Sequence, residues 1–223
     1  MNLALFDLDH TLIPFDSGMA WTHFLVAQGA LPPEAEAQYL AYCQQYVAGT
    51  LDIYAMHRAS ITPLRRFTRA RVAAWVLAFE TQMGAQIPAS MRALVGRHQR
   101  AGDLCAIVTA TTRFIAEPFG RLFGIADVLA SEAATEGGEP DAAFTGEIAG
   151  EPCFREHKLT HVNRWLARRG IGLGEFDKSW FYSDSASDLP LLEAVSHPVA
   201  VNPDERLRAH AQAAAWRVLQ RGD

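Results

Sequence analysis

Residues 1–12 read Met1-Asn-Leu-Ala-Leu-Phe-Asp-Leu-Asp-His-Thr-Leu12. Asn2 to Phe6 is a short apolar run that stops at a carboxylate. An unbroken run of this length, without polar alternation, is the pattern of a strand buried on both faces of a parallel sheet. In such sheets ligands collect beyond the C-terminal ends of the strands. Asp7 and Asp9, two residues apart at one such end, are therefore the first candidates for chemistry. No basic leader precedes them, and the run is far too short to cross a bilayer. The expectation is a cytoplasmic chain with no signal peptide and no membrane partner.

Outward from this strand the texture changes. Met19 to Gln28, Glu34 to Ala48, Leu51 to Ala59 and Leu64 to Met83 are helix-periodic, punctuated by Pro32-Pro33, Gly49 and Pro63. Pro88 opens a further helix running to Ala101. Leu104 to Val108 reads as a second buried strand, followed by Thr109. A helix over 113–123, a strand from Val128, and a hairpin returning at Phe144 to Ile148 come next. Helix 154–169, strand 180–182, helix 189–194, strand 199–201, helix 203–213 and a short strand near 216–219 complete the chain. The β-α alternation from Leu104 onward predicts an α/β fold: a Rossmann-like parallel sheet with helices on both faces. The first strand belongs to that sheet, so the helical block between it and the second strand is an insertion. The expected division is a core of residues 1–15 and 89–223 and a helical cap of residues 16–88.

The chain has 223 residues, 49% of them apolar, which is enough for a sizeable core without disulfides or a structural metal. Its formal net charge of -5 argues against nucleic acid, whose phosphates need a basic stripe. Cys43, Cys105 and Cys153 are odd in number and form no C-x-x-C pair, which fits a reducing compartment better than a disulfide framework or a thiolate zinc site. His157 and His161 have a metal-like spacing on a helix, but the stretch reads H-K-L-T-H without the glutamate of a zinc hydrolase.

The strand ends concentrate a different chemistry. The first delivers Asp7 and Asp9, the second Thr109, the fourth Asp184, with Asp188 on the following turn, and Lys158 opens the helix in between. Crowded carboxylates repel one another unless a cation intervenes. Hard oxygen donors without histidine or cysteine select Mg²⁺. With Lys158 as a second positive charge, the cluster leaves room for a phosphoryl group, whose transfer relies on positioning and charge neutralisation.

These segments resemble the haloacid dehalogenase superfamily. D-L-D-H-T at residues 7–11 is similar to its D-x-D-x-T motif, Thr109 to its second motif, Lys158 to its third, and Ser183-Asp-Ser-Ala-Ser-Asp188 to its acidic fourth. All four occur in order, and the helical insertion resembles the cap of the phosphoserine-phosphatase-like branch, subfamily IB. The resemblance implies a Mg²⁺-dependent phosphatase acting on a small-molecule phosphomonoester through an aspartyl-phosphate. Asp7 would be the nucleophile. Asp9 would protonate the leaving group and then activate water. Asp7, Asp184 and the backbone carbonyl of Asp9 would bind Mg²⁺, with Asp188 orienting them. Thr109 and Lys158 would hold the phosphoryl oxygens. For acid catalysis Asp9 must be protonated while Asp7 is ionised, and metal coordination by Asp7 with a less compensated environment for Asp9 is expected to push their pKa values apart in that sense. Asp16 lies where phosphoserine phosphatases place a glutamate that reads the substrate amine, which keeps amino-alkyl phosphates such as phosphoserine and histidinol phosphate as candidates. The alternatives are a phosphomutase of the same superfamily and a non-enzymatic phospho-acceptor similar to receiver domains. Receivers are about half this length and lack a cap and the second aspartate.

Overall fold

The computed structural model describes residues 1–220; the last three residues of the expected core lie outside the described residues. Among the described residues seven strands form one sheet. They are β1 (Leu3–Phe6), β2 (Leu104–Thr112), β3 (Asp127–Thr135), β4 (Phe144–Ala149), β5 (Ser179–Ser183), β6 (His197–Val201) and β7 (Arg217–Leu219). Their order is β4-β3-β2-β1-β5-β6-β7, and only the β3/β4 hairpin is antiparallel. β1 is central: Leu3 pairs with Leu104 of β2 on one side and Ser179 of β5 on the other. Leu3, Ala4, Leu5 and Phe6 are all fully buried, as expected of an apolar run covered on both faces. Successive residues feed two clusters. Ala4 and Phe6 join one and Leu3 and Leu5 the other, because side chains alternate across the sheet.

β2 continues beyond the expected stop at Val108. Its ladder with β3 pairs Val108 with Leu129 and then Thr112 with Ser131, so the segment between them bulges out of register. Such a bulge re-aims side chains at a strand end, and here it lifts Thr109 and Thr111. β3 is longer than the expected start at Val128, because β4 pairs back onto it.

Between β1 and β2 come α1 (Ser17–Ala27), α2 (Glu34–Ala48), α3 (Ile53–Ile61), α4 (Arg69–Met83) and α5 (Ala89–Arg100). The sequence suggested one helix over 64–83. Instead a 3₁₀ turn at Thr62–Arg66 precedes an extended Phe67, and the Thr68 side chain caps α4 by accepting from Arg71 N–H at 3.2 Å. α3 likewise starts at Ile53 because Asp52 caps it through Ala55 N–H. α1 and α4 do not pack by themselves. Trp21 and Phe79 stack edge to face, and Phe79 meets Phe119 of α6 (Arg113–Phe123) in the same way. One apolar cluster therefore runs from the helical insertion into the sheet. α7 (Glu156–Ala167), α8 (Leu189–Ala194) and α9 (Glu205–Ala213) complete the layers. No helix among the described residues is long and apolar enough to cross a membrane.

Candidate active site

The site sits at the C-terminal ends of β1, β2 and β5, beside the point where the strand order reverses. Asp7 follows β1 directly, and its N–H donates to Tyr182 O at 2.9 Å, which ties it between β1 and β5. The next five residues turn tightly. His10 adopts φ 55°, and Ile13 N–H returns to Leu8 O at 3.1 Å. This turn sends the carboxylates of Asp7 and Asp9 to different partners.

Asp7 faces Lys158, carried by α7. Lys158 Nζ lies 2.7 Å from both Asp7 Oδ1 and Asp188 Oδ2, and all three side chains are buried. Ser183 Oγ donates to the same Asp188 oxygen at 2.7 Å, while Asp188 Oδ1 is buried with no partner. Thr11 Oγ1 donates to Asp184 Oδ1 at 3.0 Å, joining the ends of β1 and β5. One ammonium thus serves a cluster of three carboxylates, and it does not suffice. Burial holds Asp7 up at about 7; Lys158 pulls down, while Asp188 and Asp9 push up. Asp184 is raised well above the carboxylate range by burial, then by repulsion from Asp7 and Asp188. Burial lowers Lys158, but Asp188 and Asp7 overcome it and hold the ammonium protonated.

Asp9 is bound differently. Its oxygens accept from Ser17 N–H and Thr111 Oγ1, each at 2.6 Å, and burial followed by repulsion from Asp16 raises it to about 6. An acid poised near 6 can give a proton to a leaving group and take one from water. The protein's own groups raise both aspartates; at Asp7 burial and its acidic neighbours outweigh Lys158, so a further cation is needed for it to ionise.

The donor set fits Mg²⁺. Among the described residues no three His, Cys, Asp or Glu side chains converge as a complete ligand set. Asp7 and Asp184 supply two carboxylates, and a small cation that keeps several waters needs no more than these and a carbonyl. The unpartnered Asp188 oxygen and the raised Asp7 and Asp184 mark a deficit of positive charge at the same place.

Thr109 is buried at the bulge, and its Oγ1 accepts from Thr111 N–H at 3.1 Å, leaving its hydroxyl proton to donate. Asp16 caps α1 through Met19 N–H at 2.7 Å and also hydrogen-bonds the Tyr39 hydroxyl. Burial raises its pKa. His157 and His161 take no part: they lie near Glu151 and Glu156 at the surface. Sequence reasoning missed Thr111 and Ser17, and read Tyr39 only as one of several cap aromatics at helical spacing. The signal for Thr111 was the hydroxyl-rich run Thr109 to Thr112, whose bulge no local pattern announces.

Known proteins place the chain in a family. Residues 4–193 match the haloacid dehalogenase-like hydrolase family, and the chain belongs to it. Within that family it is a phosphoric monoester hydrolase. It is similar to a histidinol-phosphatase of Neisseria meningitidis, 40% identical over 98% of both chains. A probable phosphatase of Mycobacterium tuberculosis is 31% identical over 97% of this chain and 74% of its own length. A Bordetella pertussis protein of unknown function superposes with a TM-score of 0.90 at 40% identity, covering 99% and 98% of the two chains. A substrate-bound phosphoserine phosphatase shares the fold at a TM-score of 0.68 and 15% identity, covering 97% of this chain and 91% of its own.

Proposed function

We propose that this chain is a Mg²⁺-dependent phosphatase that hydrolyses an amino-alkyl phosphate, histidinol phosphate before phosphoserine, through an aspartyl-phosphate on Asp7. One observation carries the substrate class: Asp9 and Asp16 form an acidic pair against Tyr39, and among the described residues no lysine or arginine pairs with either. That flank suits an ammonium, while Lys158 and Thr109 suit the phosphate. The order of substrates rests on the relative named histidinol-phosphatase.

Asp7, Asp184 and the backbone carbonyl of Asp9 would hold Mg²⁺, which when bound supplies positive charge to the phosphoryl oxygens and to Asp7. Ionised Asp7 attacks phosphorus, while Asp9 delivers its proton to the departing alkoxide. Asp9 then takes a proton from the water that releases phosphate from Asp7. Lys158 neutralises charge on the phosphoryl oxygens, and Asp188 holds Lys158 in place. Asp9, at about 6 and gripped by two donors, favours turnover over storage of the phosphoryl group, against the receiver-like alternative. A residue poised this way serves a phosphomutase equally, and release of inorganic phosphate separates the two. The division into core 1–15 and 89–223 and cap 16–88, and a cytoplasmic site of action, belong to this reading.

The test is a comparison of histidinol phosphate, phosphoserine and an amine-free alkyl phosphate with Mg²⁺ present. The expected order in kcat/KM is the one just written, with at least about tenfold between the first and last, the worth of one charge-assisted contact. Asp16→Asn should erase that preference. Equal rates on all three esters would refute the assignment of Asp16.

A further inference from the structure

The C-terminal end of α2 touches the core at two places the reaction uses. Tyr46 Oη donates to Ser185 Oγ at 2.7 Å and lies 2.9 Å from Ser187 Oγ. Both serines stand between Asp184 and Asp188. Gly49, the left-handed residue that ends α2, offers its carbonyl to the Arg155 guanidinium at 3.1 Å. Arg155 precedes α7 and Lys158 at φ 51° and ψ −129°, a strained conformation for a residue with a side chain. One helix end therefore grips both the loop that carries the acidic residues and the entry to the helix that carries the lysine.

Packing alone does not explain these contacts. Tyr46 is 38% exposed and its ring lies 6.1 Å from that of Phe154, so burial is only part of what seats it. Of the fifteen residues of α2 only Tyr39 is buried. By contrast α1 and α4 are joined to α6 through Trp21, Phe79 and Phe119, and α3 buries Ile53, His57 and Ile61. A helix with so few apolar contacts opens at low cost, and polar contacts at its end then decide where it rests.

We propose that this end of α2 is a clasp and that Tyr46 is a positioning residue. It ties the seat of α2 to the loop holding Asp184 and Asp188, so that covering the site and ordering its acidic loop are one event. The catalytic consequence rests on the phosphatase reading; the mechanical coupling does not.

Hydrogen exchange on the full ligand-free chain tests the coupling directly. Tyr46→Phe keeps the ring beside Phe154 and removes the hydroxyl. It should raise exchange of the amides of residues 183–188 about two- to tenfold, the worth of one net hydrogen bond. Ser187→Ala should raise exchange at residues 45–50 by a similar factor, because coupling between two places is reciprocal. The double variant should add nothing beyond the larger single effect, with β1 and β2 equally protected in all four proteins. Loosening of only the mutated segment, or additive effects, would overturn the clasp. In turnover of histidinol phosphate, Tyr46→Phe should raise KM while kcat stays within about twofold; an unchanged KM would overturn its part in catalysis. A parent inactive on every phosphomonoester would overturn the phosphatase reading instead, and exchange would still decide the clasp.

Discussion

Lys158→Met removes the one ammonium of the carboxylate cluster and keeps an unbranched chain of similar length, so the pocket is not emptied. Lys158 is 3% exposed and makes two charged contacts of 2.7 Å. Breaking a buried pair by deleting one partner costs about 3–5 kcal/mol, because a charge is left unpaired. The carboxylates escape part of this cost by taking up protons, and that makes the loss depend on pH. Asp7 already stands at about 7 with Lys158 pulling it down, so the variant carries it higher, at about 1.4 kcal/mol per pKa unit. A carboxyl raised above its unfolded value of 3.8 contributes stability that is full below 3.8 and lost as pH rises through the folded value. At pH 5.5 Asp7 is protonated in parent and variant alike, and its share of the difference vanishes. Urea unfolding in chelator should therefore show a deficit of about 3–5 kcal/mol at pH 8, falling to roughly half at pH 5.5. A variant as stable as its parent at pH 8, or a deficit larger at pH 5.5, would refute the reasoning. Turnover should fall by about 10²–10³ where the variant is folded, as for other lost electrostatic groups.

Asp9→Asn should separate the half-reactions. A nitrophenyl phosphate should give one rapid burst of nitrophenol and then stall with phosphate on Asp7, losing about 10²–10⁴ in steady rate, whereas an alkyl phosphate should give no burst; rapid quench with mass spectrometry reads both, and equal steady turnover by variant and parent would remove Asp9 from its role. Exhaustive chelation should abolish activity, and Mg²⁺ at ten times its Kd should add about 1.4 kcal/mol of stability at pH 8. The gain should shrink at pH 5.5, since Asp7 and Asp184 are raised and the ion competes with protons there; thermal shifts of equal size at both pH values would contradict this. His57 is 2% exposed and held down to about 4 by burial. Its stability contribution is present above 6.5 and lost as pH falls toward 4, by about 3 kcal/mol in all. The carboxylates titrate in the opposite sense, so the check is the difference between parent and His57→Asn across this range, and a difference that stays flat would sink the point.

The central strand, the α/β alternation and the four motif positions were legible because each depends on local pattern. An unbroken apolar run ending in Asp7, a hydroxyl after Val108 and a lysine near the start of a helix are visible one segment at a time. Only pairing of β1 with both β2 and β5 brings Asp7, Thr109 and Asp184 to one edge, but an α/β sheet makes that convergence expected. The boundaries that shifted were set by contacts outside their own segment, as where β4 extended β3, or by a single capping side chain such as Thr68.

Charge balance and hydroxyl partners were decided by the tertiary structure. Lys158 reads in sequence as a lysine among polar neighbours; packing of α7 against the sheet makes it the buried link between Asp7 and Asp188. The upward shift of Asp7 and Asp9 follows from desolvation, which depends on what covers a residue and not on its neighbours in the chain. Thr111 reaches Asp9 only because β2 bulges against β3, and Tyr46 reaches Ser185 across 139 residues of chain. The amino-acid order determined which groups stand at the strand ends. The packing of distant segments determined how dry those groups are and which atom each one meets, and those two quantities set their chemistry.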